Sequence, residues 1–224
     1  MLKVKNVSKI YKKGNQEVKA IDDVSLTISK GDFVSIIGPS GSGKSSLLLM
    51  LGGMLSPSLG QILIDEKSLY DLNPNERASL RQKKMGFVFQ TFNLIPYLSA
   101  MQNVQVPLFL SGMDEKTQKE RAQALLERIG LGDRMDHIPS ELSVGQQQRI
   151  ALARMLANDP AIILADEPTG NLDPEMSQHV INFLTELNQE GRTIVLVTHD
   201  MNVAKRAKRT ITISKGGTLG VAQE

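Results

Sequence analysis

Three short stretches hold residue types whose spacing could do chemistry. The first is Gly38-Pro39-Ser40-Gly41-Ser42-Gly43-Lys44-Ser45-Ser46, of the form G-x-x-x-x-G-K-[ST], with Gly38, Gly43, Lys44 and Ser45 in the fixed places. Glycines let backbone N–H groups turn inward and approach a phosphate closely. The N-terminus of a following helix adds donors and a favourable dipole. Lys44 would supply a point charge to the outer phosphates, and the Ser45 hydroxyl can ligate Mg²⁺. The flanks suit this. Phe33–Ile37 (FVSII) is a β-branched apolar run fit for a buried strand, and SSLLLMLGGM, from Ser45, is fit for a buried helix.

The second stretch is Ala161–Pro168, AIILADEP, an apolar strand that delivers two adjacent carboxylates at its C-terminal end. That is where α/β sheets bind ligands. Beside a phosphate loop, Asp166 is assigned to the metal and Glu167 to general base or water positioning. The third is Leu142–Ile150, LSVGQQQRI. Read alone, Ser143 and Gln146 form a capping box opening a helix. A serine hydroxyl and glycine N–H at a helix N-terminus also make an anion site. Two such helix ends in different lobes need not face each other. Two molecules placed head to tail could each sandwich a nucleotide between them.

The elements that must position these stretches alternate between strand and helix. Residues 2–11 read as a strand with Leu2, Val4 and Asn6 on one face, Lys12–Glu17 as a turn, and Val18–Ser29 as a strand pair. After the loop-bound helix, SPSLG is a turn and QILIDEK a short alternating strand. A small antiparallel sheet thus wraps the first core strand. Pro74–Lys84 is a short polar helix and Gly86–Gln90 a core strand ending in glutamine.

From Thr91 to Pro160 helical periodicity takes over. Asp114–Ile129 puts Ala122, Leu125, Leu126 and Ile129 on one face, with Gly130 as its stop. Ser143–Ala157 turns Ile150, Ala153, Leu156 and Ala157 inward. The core then resumes with AIILA, a helix capped by Asp173-Pro174 and stopped by Gly191, and the strands TIVLVT and ITIS. The Lys205–Arg209 run reads as the solvated face of a short helix. Strands alternating with helices argue for a mostly parallel sheet covered on both sides. The expected fold is α/β: a P-loop NTPase (RecA-like) core with an N-terminal antiparallel β subdomain and an inserted helical subdomain. Its single domain divides into a core lobe, 1–92 plus 159–224, and a helical lobe, 93–158.

Composition narrows the classes. The chain has 224 residues, a formal net charge of +2 and no cysteine. This excludes a disulfide framework and a thiolate metal site, and gives no nucleic-acid footprint. No apolar run approaches the roughly 18–20 residues that span a bilayer. MLKVKNVSKI lacks the apolar region of a signal peptide. The protein is expected in the cytoplasm, and any action at a membrane would go through a partner.

Taken together, these motifs resemble the ATP-binding subunit of an ABC transporter over essentially the whole chain. In that family the nucleotide sits between the phosphate loop of one subunit and the signature of the other. The resemblance implies ATP and Mg²⁺ as ligands, ATP hydrolysis as the activity and a head-to-tail homodimer. It makes Gly38–Ser46 the Walker A loop, Asp166 the Walker B aspartate and Glu167 the catalytic carboxylate. Leu142–Gln146 resemble the signature, with Ser143, Gly145 and Gln146 toward nucleotide. Gln90 resembles the glutamine that senses Mg²⁺ and the attacking water, and Asn171-Leu172-Asp173 the D-loop. His199, in VTHD, resembles the histidine that contacts the γ-phosphate, and Tyr11 the aromatic that stacks on adenine. His137 and His179 match no motif and are read as structural. The family signature has glycine where this chain has Val144. A β-branched residue at φ > 0 would be an outlier, so φ < 0 is expected there. The affinity of the ATP sandwich is what that exchange puts at stake.

The segment FVFQTFNLIPYLSAMQNV and the string EPTGNLD are similar to the macrolide-efflux and lipoprotein-release branch. That branch implies an integral membrane permease subunit contacted near Thr91–Val104. The dense run Phe92, Leu94, Ile95, Pro96, Tyr97 and Leu98 fits such a surface, or fills the helical lobe. Two other family types are rivals. A soluble ATPase acting on ribosomes or DNA carries two cassettes or a long coiled coil, and the gap of about 120 residues between loop and carboxylates shows no sustained heptads. A membrane-tethered regulator of the cell-division type is poorly separated by sequence.

Overall fold

The structure, a computed structural model, describes residues 1–14 and 16–220. Five parallel strands form its centre: β3 (Phe33–Ile37), β6 (Met85–Phe89), β7 (Ile162–Asp166), β8 (Thr193–Val197) and β9 (Arg209–Thr212). Their order is β6-β7-β8-β3-β9, and every pairing is parallel. β7 and β8, in the interior of the sheet, are apolar along most of their length because both faces are covered, whereas the edge strand β9 reads Arg-Thr-Ile-Thr. β7 sends Ile163 and Ala165 to one cluster and Ile162 and Leu164 to the other, and β8 divides Ile194 and Leu196 from Val195 and Val197 in the same way.

One face of that sheet meets α1 (Lys44–Leu51) and an antiparallel sheet of order β2-β1-β4-β5. Its strands are β1 (Leu2–Lys13), β2 (Gln16–Ile28), β4 (Leu59–Ile64) and β5 (Lys67–Ser68). Residues 16–28 are one long strand, not a strand pair, because β1 supplies a partner along the whole length. Of the turn expected over Lys12–Glu17, Lys12 and Lys13 belong to β1 and Gln16 and Glu17 to β2, Gly14 is a turn residue at φ 59, and Asn15 is outside the described residues. Asn6 does not share the face of Leu2 and Val4. It sits at φ 46 in a register shift, and Val7 turns inward instead. Nor does β4 alternate: Ile62, Leu63 and Ile64 are all buried.

The other face meets α6 (Pro174–Gln189) and a group of helices from the middle of the chain. These are α3 (Ala100–Leu110), α4 (Glu115–Arg128) and α5 (Val144–Leu156), which pack on one another. Their starts follow from capping: Ser99, Asp114 and Ser143 each accept a backbone N–H of the first turn. Asn103, fully buried in α3, accepts from Ile95 N and donates to the carbonyls of Ile95, Leu98 and Ser99. It shapes the loop that leads into the helix. α2 (Pro74–Lys84) has no buried residue, in keeping with its polar sequence. The Lys205–Arg209 run follows the short α7 (Met201–Ala204) rather than forming its face. No helix among the described residues is long and apolar enough to cross a membrane.

Candidate functional site

The strand order brings the sequence motifs to one edge of the sheet. β3 runs into the glycine loop, β7 into Asp166-Glu167, β8 into Thr198-His199, and β6 into Gln90. The register aligns these ends. Ile36 pairs with Val197, Asp166 with Val197, and Phe89 with Asp166. The backbone then closes the row: Glu167 N donates to Val197 O at 2.9 Å, and Thr198 N to Ile36 O at 3.2 Å.

Within the loop, Gly43 is left-handed at φ 95, and a Cβ there would lie 2.0 Å from Ala20 O of β2. Only glycine fits, because strand and loop touch backbone to backbone. Gly43 is also the N-cap of α1 and brings no side-chain cap, so the first N–H groups of that helix are left for a ligand. The Ser42 hydroxyl is buried without a partner. Lys44, 8% exposed, folds back and donates to Gly38 O at 2.9 Å and Pro39 O at 3.0 Å. Pro39, Ser40 and Gly41 form the exposed crest, and Ser46 is half-buried on α1.

Ser45 Oγ donates to Asp166 Oδ1 at 3.1 Å. Burial pushes the Asp166 carboxyl above the usual range, with the Glu167 charge acting in the same sense and the Ser45 bond and Lys44 against it. His199 Nδ1 lies 2.8 Å from Glu167 Oε1. Glu167 is held at φ 46. Gln90 Nε2 donates to Asn171 Oδ1 at 3.2 Å, and Asn171 Nδ2 returns a bond to Gln90 O at 3.1 Å. An open cleft of about 540 Å³ adjoins the pair, lined by Glu167, His199, Asp200, Gln178 and Arg206 among others.

The remaining residues stand apart from this edge. Ser143 caps α5 in a reciprocal box with Gln146, at 3.2 and 2.9 Å. No hydrogen bond or ion pair among the described residues joins them to the loop 38–46. Val144 is helical, with negative φ, and 52% exposed. Gly145 abuts α6, where a Cβ would meet Met176 Cε at 2.8 Å. Asp173 caps α6 through Met176 N at 2.9 Å. Tyr11 is exposed on β1 with the Lys9 ammonium 5.3 Å from its ring centroid. The apolar run after Gln90 divides: Pro96 and Tyr97 are exposed, while Phe92, Leu94, Ile95 and Leu98 are half-buried.

Three contacts at this edge had no sequence signal beyond a polar or bulky residue at a helical position. Gln148 of α5, fully buried, donates to Pro168 O at 2.9 Å. Arg154 of the same helix reaches the carbonyls of Phe92 and Asn93. Met176 fills the space left by Gly145.

This edge has counterparts. The description of ABC transporters matches residues 21–170. The chain belongs to the ABC transporter family. It is an ATP-binding cassette with the ATPase activity of that family. It is 47% identical to the macrolide export ATP-binding/permease protein MacB of Hyphomonas neptunium over 96% of this chain and 34% of that one. The chain thus spans about a third of the length of the MacB relatives it matches. It is also 47% identical to the ABC transporter ATP-binding protein MJ0796 of Methanocaldococcus jannaschii, over 96% of this chain and 94% of that one. A solved dimeric structure of the MJ0796 cassette bound to ADP and Pi superposes with a TM-score of 0.93 at 44% identity, covering 100% of this chain and 98% of that one. The cassette is therefore of the MacB-like branch, and its architecture is the α/β P-loop NTPase fold.

Proposed function

We propose that this cassette is the motor of a membrane transporter: two copies close head to tail on two Mg·ATP, and hydrolysis reopens them. The carrying observation is the convergence of Lys44, the Ser45–Asp166 pair and the Glu167–His199 pair on one sheet edge.

The residues fit the ligands. The uncapped start of α1 and the orphaned Ser42 hydroxyl are donors waiting for an anion. Ser45 and Asp166 present hard oxygens side by side, the donor set Mg²⁺ takes, with Gln90 at the neighbouring strand end as a further oxygen. When bound, the metal neutralises charge on the phosphates. Lys44 exchanges the Gly38 and Pro39 carbonyls for the outer phosphates. Glu167 accepts a proton from, and orients, the water whose oxygen attacks the γ-phosphorus as its bond to the bridging oxygen breaks, giving ADP and phosphate. His199 holds the carboxylate in that aim. Tyr11 offers its exposed ring to the adenine. Ser143, Gly145 and Gln146, which no hydrogen bond among the described residues joins to this chain's own loop, serve the nucleotide of the other copy, with Asp173 at the seam.

The partner is an integral membrane permease of the kind that MacB carries in its own chain. Exposed Pro96 and Tyr97, within Thr91–Val104, belong to the surface it would touch. The cassette then works on the cytoplasmic face of the membrane, and with a net charge of +2 no nucleic-acid partner is expected. The test is Glu167→Gln, tagged and recovered from native membranes with Mg·ATP. A dimer by size and a co-purifying membrane chain are expected. Recovery of ribosomal or soluble partners alone, or turnover at the wild-type rate, would overturn the motor or the catalytic assignment respectively.

A further inference from the structure

Gln90 is followed by a turn that the backbone does not favour. Phe92 and Asn93 are consecutive left-handed residues, at φ 51 and 50, and neither is glycine. L-residues with a Cβ avoid that region, and two in a row need something that holds them there. Arg154 is that support. From the last turn of α5 it donates Nη2–H to Phe92 O and Nη1–H to Asn93 O, each at 2.6 Å. The planar fork of a guanidinium suits two adjacent carbonyls, which a lysine ammonium could not bridge in the same way. No carboxylate among the described residues forms an ion pair with Arg154. Its charge is partly buried and answered by backbone oxygens alone, an arrangement that surface solubility does not explain.

The opposite side of Gln90 is also fixed. Asn171 bonds both its amide and its carbonyl, at 3.2 and 3.1 Å. Gly170 leaves no slack, since a Cβ there would stand 2.8 Å from Gln90 Nε2. Gln90 is exposed, on a strand end, and would wander without these two restraints.

We infer that Arg154 is a positioning residue for Gln90: by clamping the Phe92 and Asn93 carbonyls it holds the strained turn that sets the direction of the glutamine toward the reacting phosphate. This rests on the placement of Gln90 in the site proposed above. It also ties the helix that opens with Ser143 to the aim of Gln90 in the same chain.

The experiment is a double-mutant cycle on the full chain, with kcat and KM for ATP measured for Arg154→Ala, Gln90→Ala and the pair. Misplacing a group by about 1 Å can cost a hundredfold in rate. Arg154→Ala is expected to lower kcat about tenfold or more with KM within about twofold, and the double variant to be no slower than Gln90→Ala. Arg154→Lys, which keeps the charge and loses the fork, is expected in between and covers the case in which the alanine variant does not fold. A second readout needs no turnover: amide hydrogen exchange over residues 90–94 should quicken in Arg154→Lys while that of the loop 38–46 does not. Multiplying losses in the double variant, or unchanged exchange at 90–94, would overturn the inference. Wild-type kcat in Gln90→Ala would instead remove the role of Gln90 beneath it, and the inference with it.

Discussion

His199 Nδ1 stands 2.8 Å from Glu167 Oε1, across the ends of two adjacent parallel strands. Glu167 is largely sheltered, its side chain 16% exposed, whereas His199 is 71% exposed and reaches it from the rim. The carboxylate is thus fixed by its neighbour before any substrate arrives. Glu167→Gln is expected to bind ATP and to lose about 10²–10⁴-fold in turnover, the range of a positioned base. His199→Ala should lose a comparable factor, and the double variant little more, because the two act as a unit. Single-turnover rates check this; fully multiplicative losses would mean separate roles.

Gly43 and Gly41 are both left-handed, at φ 95 and 76, yet their surroundings differ. A Cβ on Gly43 meets Ala20 O at 2.0 Å, and one on Gly41 meets nothing within 4 Å. Gly41→Ala should cost about 1–2 kcal/mol, the backbone strain alone. Gly43→Ala should cost clearly more and abolish nucleotide binding, since the loop must leave β2. Denaturant midpoints and ATP titration of the two variants decide the matter; equal costs would remove the role of the Ala20 contact.

Val144 opens α5 with negative φ and with its side chain 52% exposed. Val144→Gly is expected to lower the stability of the isolated chain by up to about 1 kcal/mol, through the helix propensity of glycine. In the Glu167→Gln background it should lower the ATP concentration at which the dimer forms, because in the head-to-tail dimer proposed above the exposed valine would occupy the approach to the other copy's phosphates. Sizing across an ATP series checks the direction. A weaker dimer would show that the valine contributes contact instead.

Asp65 is held at a pKa of about 2, chiefly by the hydrogen bond from Lys84 and then that from the amino terminus. A carboxylate lowered on folding stabilises above its unfolded pKa and loses that contribution as pH falls through the folded one. The window therefore runs from roughly pH 4 to pH 2. The side chain is 51% exposed, so solvent screening limits the effect to about 1 kcal/mol at most. Asp65→Asn keeps a residue suited to the left-handed φ of 49. It should be slightly less stable than the wild type at pH 7, with the gap shrinking in salt and closing toward pH 2.

The motifs of the candidate site were legible in the chain because they are local. A phosphate loop needs its glycines, Lys44 and Ser45 within a few residues of one another, and a strand ending in Asp166-Glu167 declares itself by its apolar run. The caps at Asp114, Ser143 and Asp173 are likewise contacts within three residues, so helix starts could be read from side-chain type. Strand alternation failed where pairing overrode it. At Asn6 a register shift turned the next apolar residue inward, and residues 16–28 became one strand because β1 runs beside all of them.

What only the tertiary structure decided is which distant residues meet. The order β6-β7-β8-β3-β9 sets Gln90, Glu167, His199 and Lys44 along one edge, although the chain visits those strands in another order. Arg154 beneath the turn after Gln90, Gln148 on Pro168 and Met176 against Gly145 are contacts between a helix and a distant loop or helix, where spacing along the chain carries no information. Sequence sets the repertoire of a side chain through its donors, charge and volume; close packing of rigid elements selects the partner it is left with.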